Sequence, residues 1–160
     1  MPTASSSPES GLLKTRLHDD LTTAIKARDE LTTATLRMVL AAVTTEEVAG
    51  KQARELSDDE VLKIVAREGK KRREAAEAFE AGNRPELAAR ERAEGGVIER
   101  YLPKQLDDEE LRSIVSAAIS QSGAAGPQAM GAVMKLVNPL VAGRAEGGRI
   151  AAEVKRQLTD

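Results

Sequence analysis

Apolar residues return every three or four positions along most of this chain, and the polar residues between them gather on opposite helical faces. Leu12, Leu13, Leu17, Leu21, Ala24 and Ile25 keep this spacing and predict a first helix to about Ala27. After a short break at Arg28-Asp29, Leu31, Thr35, Met38, Val39, Ala42 and Val43 mark the inner face of a second helix ending near Gly50. So short an interval makes the two an antiparallel pair. Leu56-Ser57-Asp58-Asp59-Glu60-Val61 then carries a staple, a cap and a capping box, and opens a third helix from Asp58 to about Ala81. Val61, Ile64, Val65, Ala75, Ala76 and Phe79 share one of its faces. Gly82 supplies the stop, and Asn83 with Glu86 starts a fourth helix that runs to Leu102. That helix is anchored only by Leu87, Val97, Ile98 and Tyr101, so the third and fourth helices predict a long charged hairpin. Gly69, Gly95 and Gly96 fall inside these helices, where glycine costs about 1 kcal/mol relative to alanine. They read as local weakness, with a kink or frayed segment at Gly95-Gly96.

The sharpest punctuation is the run Tyr101-Leu102-Pro103-Lys104-Gln105-Leu106-Asp107-Asp108-Glu109-Glu110. Pro103 has no amide N–H and pushes its predecessor out of the helical region, so the fourth helix stops there. Asp107 can accept from the free amides of the next first turn, with Glu110 reaching back to it and Leu106 and Leu111 closing a staple. Leu111, Ile114, Val115, Ala118 and Ile119 define a fifth helix closed by Gly123. Gly126-Pro127 starts a sixth with proline at its first position, and Met130, Val133, Met134 and Val137 form its stripe. Pro139 and Gly143 separate it from a last helix carrying Ile150, Ala151, Val154 and Leu158. The expected fold is all-α: a disordered tail over 1–10, an N-terminal four-helix domain over 11–103 and a compact three-helix bundle over 104–160.

Composition supports that fold class. Hydrophobic residues are 41% of the 160, yet aromatics are 1%, so the core must be aliphatic. The absence of cysteine excludes disulfides, thiolate metal sites and cysteine nucleophiles. No stretch approaches the roughly 20 apolar residues needed to span a bilayer, and the Ser/Pro-rich start lacks a secretory pattern, so a cytoplasmic protein without a membrane partner is expected. A formal net charge of -2 gives the whole chain no strong pull towards nucleic acid or membrane.

Catalytic patterns are harder to find. His18, the single histidine, sits beside Asp19 and Asp20 on an early helix and reads as a surface residue. The acidic runs Asp58-Asp59-Glu60 and Asp107-Asp108-Glu109-Glu110 lie in first turns, where the helix dipole accounts for negative charge. Gly143-Arg144-Ala145-Glu146-Gly147-Gly148 is glycine-rich but follows a helix, not a strand, and so is no dinucleotide fingerprint. No catalytic residue, metal site or cofactor is assigned. On the third helix Lys63, Arg67, Lys70 and Lys71 share a face, although Glu68–Arg72, Lys70–Glu74 and Arg73–Glu77 can pair at four-residue spacing. Beyond the first turn of the fifth helix, Arg112, Lys135, Arg144, Arg149, Lys155 and Arg156 face only Glu146, Glu153 and Asp160. A basic surplus without aromatic stacking partners suits backbone phosphates rather than the reading of single-stranded bases.

Taken together, Tyr101-Leu102-Pro103-Lys104-Gln105-Leu106 with Asp107 to Leu111, and Gly131-x-Val133-Met134-Lys135 with Gly143-Arg144-Ala145-Glu146-Gly147, resemble the hallmarks of YqeY-like proteins. Leu36-Arg37-Met38-Val39 and the Arg-rich third helix fit the same pattern, and the similarity runs from about Leu12 to Leu158. The family in turn is similar to the C-terminal tail of GatB, a component of the glutamine-dependent tRNA amidotransferase. The resemblance implies an α-helical N-terminal domain, a three-helix C-terminal domain and an association with tRNA, with a translation-related protein as a further partner. It also carries a family-level label of carbon–nitrogen ligase with glutamine as amido-nitrogen donor, which no residue constellation of this chain reproduces. The reading therefore leans away from catalysis by the chain alone. Lys135, Arg144, Arg149 and Lys155 are the expected phosphate contacts. Tyr101, Leu102, Pro103, Gln105, Leu106, Gly131, Met134 and Gly143 are expected to be structural, with Gly143 in a tight turn and Gly131 at a close helix approach. The competing reading is a protein–protein adaptor that uses the charged hairpin from Asp58 to Leu102.

Overall fold

The structure is a computed structural model that describes residues 11–141 and 143–160; the tail expected over 1–10 lies outside the described residues. The described residues form seven α-helices and one 3-10 turn, with no strand. These are α1 (Leu12–Lys26), α2 (Glu30–Glu47), α3 (Asp58–Ala81), α4 (Pro85–Glu99), α5 (Asp108–Ser122), α6 (Met130–Val141) and α7 (Gly147–Thr159), with the 3-10 turn Pro127–Ala129 leading into α6. The chain divides into two compact units, one ending at Leu102 and the other spanning Pro103–Asp160.

In the first unit, α1 and α2 pack as an antiparallel pair, and α3 and α4 as a longer one. Leu17, Leu36, Val39, Leu40, Val43, Leu56, Val61, Ile64, Val65, Val97, Ile98 and Tyr101 form its buried core. The start of α3 is built as the sequence foretells: Ser57 Oγ accepts from the Glu60 amide at 3.2 Å, and Glu60 reaches back to the Ser57 amide. Arg54 clamps the same carboxylate at 2.6 and 3.1 Å, which holds Glu60 ionised well below the usual carboxylate range, at about 2.

Between α3 and α4 the chain departs from expectation. Asn83, not Gly82, takes the left-handed backbone at φ +58°, and Gly82 keeps φ −82°. The fourth helix then starts on Pro85 at its first position, without a side-chain cap, and ends at Glu99, followed by turn residues. Gly95 and Gly96 do not fray α4, which runs unbroken through both. Gly69 is more than a weak point: a Cβ there would lie 3.3 Å from Ile98 Cγ2, so its absence lets α3 and α4 approach.

The paired helices are also joined by charge. Glu68 is buried, takes Arg72 at 3.1 Å and Lys71 at 3.1 Å, and Arg72 continues to Glu91 at 3.4 Å and Glu94 at 3.9 Å. Arg90 links Glu94 on α4 to Glu30 at the start of α2, at 3.1 and 3.0 Å. Lys70–Glu74 also pairs, at 3.9 Å.

The second unit is a three-helix bundle around Leu106, Leu111, Val115, Ala118, Val133, Val137, Val141, Ile150, Val154 and Leu158. Pro139 does not end α6 as its ring would suggest; it lies in the last turn, and the helix continues to Val141. Among the described residues no helix is long and apolar enough to cross a membrane.

Candidate nucleic-acid interface

The second unit begins with a tie between two distant motif segments. Asp107 accepts from the Glu110 amide at 2.7 Å, and Glu110 accepts from the Asp107 amide at 3.0 Å, which closes the capping box. Leu106 and Leu111 on either side are both buried in the bundle core, which completes the staple. The Leu106 amide donates to the Arg144 carbonyl at 2.7 Å, and its carbonyl accepts from the Arg149 guanidinium at 3.0 Å. Gln105 Nε2 donates to the carbonyls of Pro103 at 3.2 Å and Gly143 at 3.0 Å. Gly143 holds φ +73°, the left-handed region that a residue without a side chain adopts freely. Residues 103–106 are thus fastened to the turn between α6 and α7.

The other motif positions have different surroundings. Met134 packs half-buried against the bundle core. Gly131 is exposed, and a Cβ there would meet nothing within 4 Å, so close helix packing does not explain that glycine. Tyr101 and Leu102 close the first unit, where Tyr101 is buried and Leu102 packs against the core.

The four expected phosphate contacts are used in different ways. Lys135 projects from α6 and Lys155 from α7; both are exposed, and neither has an ion pair among the described residues. Arg144 turns back to cap α6, donating to the Leu140 carbonyl at 2.8 Å. Arg149 is occupied by the Leu106 carbonyl and by Asp108 Oδ1, both at 3.0 Å. On α7, Lys155 follows Arg149 by six residues, which places it about 240° round the helix. Arg156 follows by seven and returns to the Arg149 face.

That face holds two arginines which the reading of motifs left aside. Arg112, Arg149 and Arg156 line one shallow cleft of about 370 Å³ with Asp108 and Glu153, and Arg112 and Arg156 line a wider groove of about 650 Å³ with Ser113, Ser116 and Gln157. Gln157 fastens α7 to α5 by donating to the Arg112 carbonyl at 3.0 Å. The seven-residue spacing of Arg149 and Arg156 was the available signal; the proximity of Arg112 needed the packing of α5 on α7. The charge here is largely internal, since Arg156 grips Glu153 at 2.6 Å and Asp160 at 3.2 Å. The Glu153 carboxyl is lowered from its ordinary value first by that hydrogen bond, and also by Gln157 and by the charge of Arg112.

The first unit has its own polar cleft, about 290 Å³, with Arg16, Asp20, Asp29, Thr32, Arg100 and Tyr101 on its walls. The Tyr101 hydroxyl donates to Asp20 Oδ2 at 2.5 Å, and the Arg16 guanidinium lies 4.6 Å from the ring centroid. Burial and the Asp20 carboxylate push the phenol well above the usual tyrosine range. His18, as expected, is exposed. Among the described residues no group of three or more His, Cys, Asp or Glu could hold a metal ion.

Set beside known proteins, the chain matches a family model described as Yqey-like protein over residues 14–158. It is similar to altered inheritance of mitochondria protein 41, mitochondrial, from Meyerozyma guilliermondii, at 32% identity over 114 residues that cover 67% of this chain and 58% of that relative. The protein of the same name from Saccharomyces cerevisiae (strain ATCC 204508 / S288c) is 29% identical over 127 residues, covering 74% of this chain and 66% of its own length. The chain therefore spans between 58% and 66% of the length of these relatives.

Proposed function

This chain belongs to the YqeY-like family, and on that premise we propose that it is a tRNA-associated accessory module that uses its C-terminal bundle. The observation that carries the reading is the excess of basic side chains beyond the first turn of α5, with Lys135 and Lys155 exposed and without ion pairs among the described residues. Similarity to the amidotransferase tail, through the Gly131–Lys135 and Gly143–Gly147 segments, points the same way. Lys135, Lys155 and Arg112 are the proposed phosphate contacts. Arg144 and Arg149 are committed to backbone carbonyls and add only the donors left on their guanidinium groups.

Amide-transfer chemistry, in this reading, belongs to a partner, and the isolated chain turns over no glutamine. The proposed compartment is the cytoplasm, whereas the relatives named above are mitochondrial; imaging of a tagged full-length chain separates the two. The test of RNA association is binding of purified tRNA at two salt concentrations. If three phosphates are neutralised, affinity falls roughly 40-fold between about 50 and 200 mM salt, from a log–log slope near −0.9 per contact. Charge reversal at Lys135, Lys155 and Arg112 together should flatten that slope. Salt-independent binding, or a triple variant that binds like the parent, rules the proposal out.

A further inference from the structure

We propose that the outer flank of α6 docks an acidic amphipathic helix of a partner protein. The core uses Val133, Val137 and Val141 of this helix. Ala132, Leu136 and Leu140 repeat at four-residue spacing on an adjacent flank, and Leu136 and Leu140 remain 42% and 56% exposed. The apolar arc of α6 is thus wider than its own bundle requires. Leu136 and Leu140 are two of the six large hydrophobic side chains exposed among the described residues, and they lie one turn apart.

The charge around the stripe selects its occupant. From Pro127 to Ala145 the only charged residues are Lys135 and Arg144, and no acid is present. Arg144 is fixed at the C-terminal end of the stripe by its hydrogen bond to the Leu140 carbonyl, and Lys135 precedes Leu136 without an ion pair among the described residues. A second copy of this chain would bring the same two cations against each other. The tail over 1–10, whose one large apolar residue is Met1, offers no matching stripe. A helix with apolar residues at four-residue spacing and carboxylates beside them covers the leucines and meets both cations. RNA would satisfy the cations and leave the leucines in water.

The site extends beyond the tRNA reading and shares Lys135 and the remaining donors of Arg144 with it, so reversal of Lys155 and Arg112, which are not part of this face, tests RNA association separately. The probe is a conformationally restrained helical peptide with leucines at four-residue spacing flanked by glutamates, titrated into methyl-labelled full-length protein beside a twin carrying lysines. The expected result is a shift of the Leu136 and Leu140 methyl signals, with the acidic peptide bound about tenfold tighter than its twin. Leu136→Glu should weaken it by a further factor of about ten, as should the milder pair Leu136→Ala and Leu140→Ala if the charged variant misfolds. Equal affinity for the two peptides, or shifts confined to another face, overturns the proposal. So does a dimer abolished by Leu136→Glu in sedimentation, which assigns the face to a second copy. Loss of tRNA binding on replacing the two leucines assigns it to RNA and overturns the proposal as well.

Discussion

Tyr101 shows how much one side chain can report. It is the single tyrosine, buried at the end of the first unit, and its hydroxyl donates to Asp20 under the Arg16 guanidinium. Its raised pKa means that the folded state holds the phenolic proton more tightly than the unfolded chain. The stability it contributes is complete below the unfolded value near pH 10 and is lost as pH rises above it. Ultraviolet titration should show no phenolate in the native protein around pH 10, and Asp20→Asn should bring the transition down. Glu60 has the opposite sign. Its carboxyl is held at about 2 by Arg54 and the Ser57 amide, so its contribution is present above the unfolded value near 4.5 and is lost as pH falls towards 2. Acid unfolding of Arg54→Ala should therefore begin at higher pH than in the parent. Gly96 gives a third residue-scale prediction: nothing lies within 4 Å of a Cβ there, and α4 is regular, so Gly96→Ala should stabilise by about 0.5–1 kcal/mol in a denaturant midpoint. The same change at Gly69 meets Ile98 at 3.3 Å, and Gly69→Leu should destabilise.

At the scale of elements, a boundary was legible where a local cap marks it: α3 ends at Ala81 and α5 closes on Gly123, while α4 starts on Pro85 without the expected side-chain cap. Ser57 and Asp107 both make the capping boxes that their spacing announces, because a cap is satisfied by groups three residues away. At Gly82-Asn83 the asparagine and not the glycine takes the left-handed region, because both residues tolerate it and local sequence alone does not choose between them. The third and fourth helices look too polar to pack well, yet they make the most extensive helix–helix contact among the described residues. Small residues and a charge network replace apolar anchors there: Ala76, Ala88 and Gly69 allow approach, while Glu68, Arg72, Glu91 and Glu94 fill the seam. The Glu68 side chain is 5% exposed, so Arg72→Met leaves a buried carboxylate with Lys71 alone and should cost about 3 kcal/mol. Replacing Glu68 and Arg72 together by leucine should cost much less, and a double-mutant cycle in urea measures the difference.

Over the whole molecule there are two aliphatic cores, and each is expected to respond to its own defects. Leu36→Ala in the first should cost about 2–5 kcal/mol and speed amide exchange through α1 to α4, while amides of α5 to α7 keep their protection. The two units also divide the candidate chemistry: the Tyr101 cleft belongs to the first, and the arginine groove and leucine stripe to the second. Amino-acid sequence by itself determined the all-α class and the capped starts of α3 and α5, because these depend on periodicity and on groups a few residues apart, whereas α4 ends at Glu99, short of the proline expected to stop it. Tertiary structure decided which cations remain available. Arg149 was indistinguishable from Lys155 in sequence, but packing of α7 beside Leu106 turned it into a backbone clasp and left Lys155 in water. It likewise brought Arg112 to Arg156 and left Leu136 and Leu140 uncovered. Hydrogen-bond partners forty residues away and the width of a helix's buried face are properties of the assembled bundle, and no local spacing encodes them.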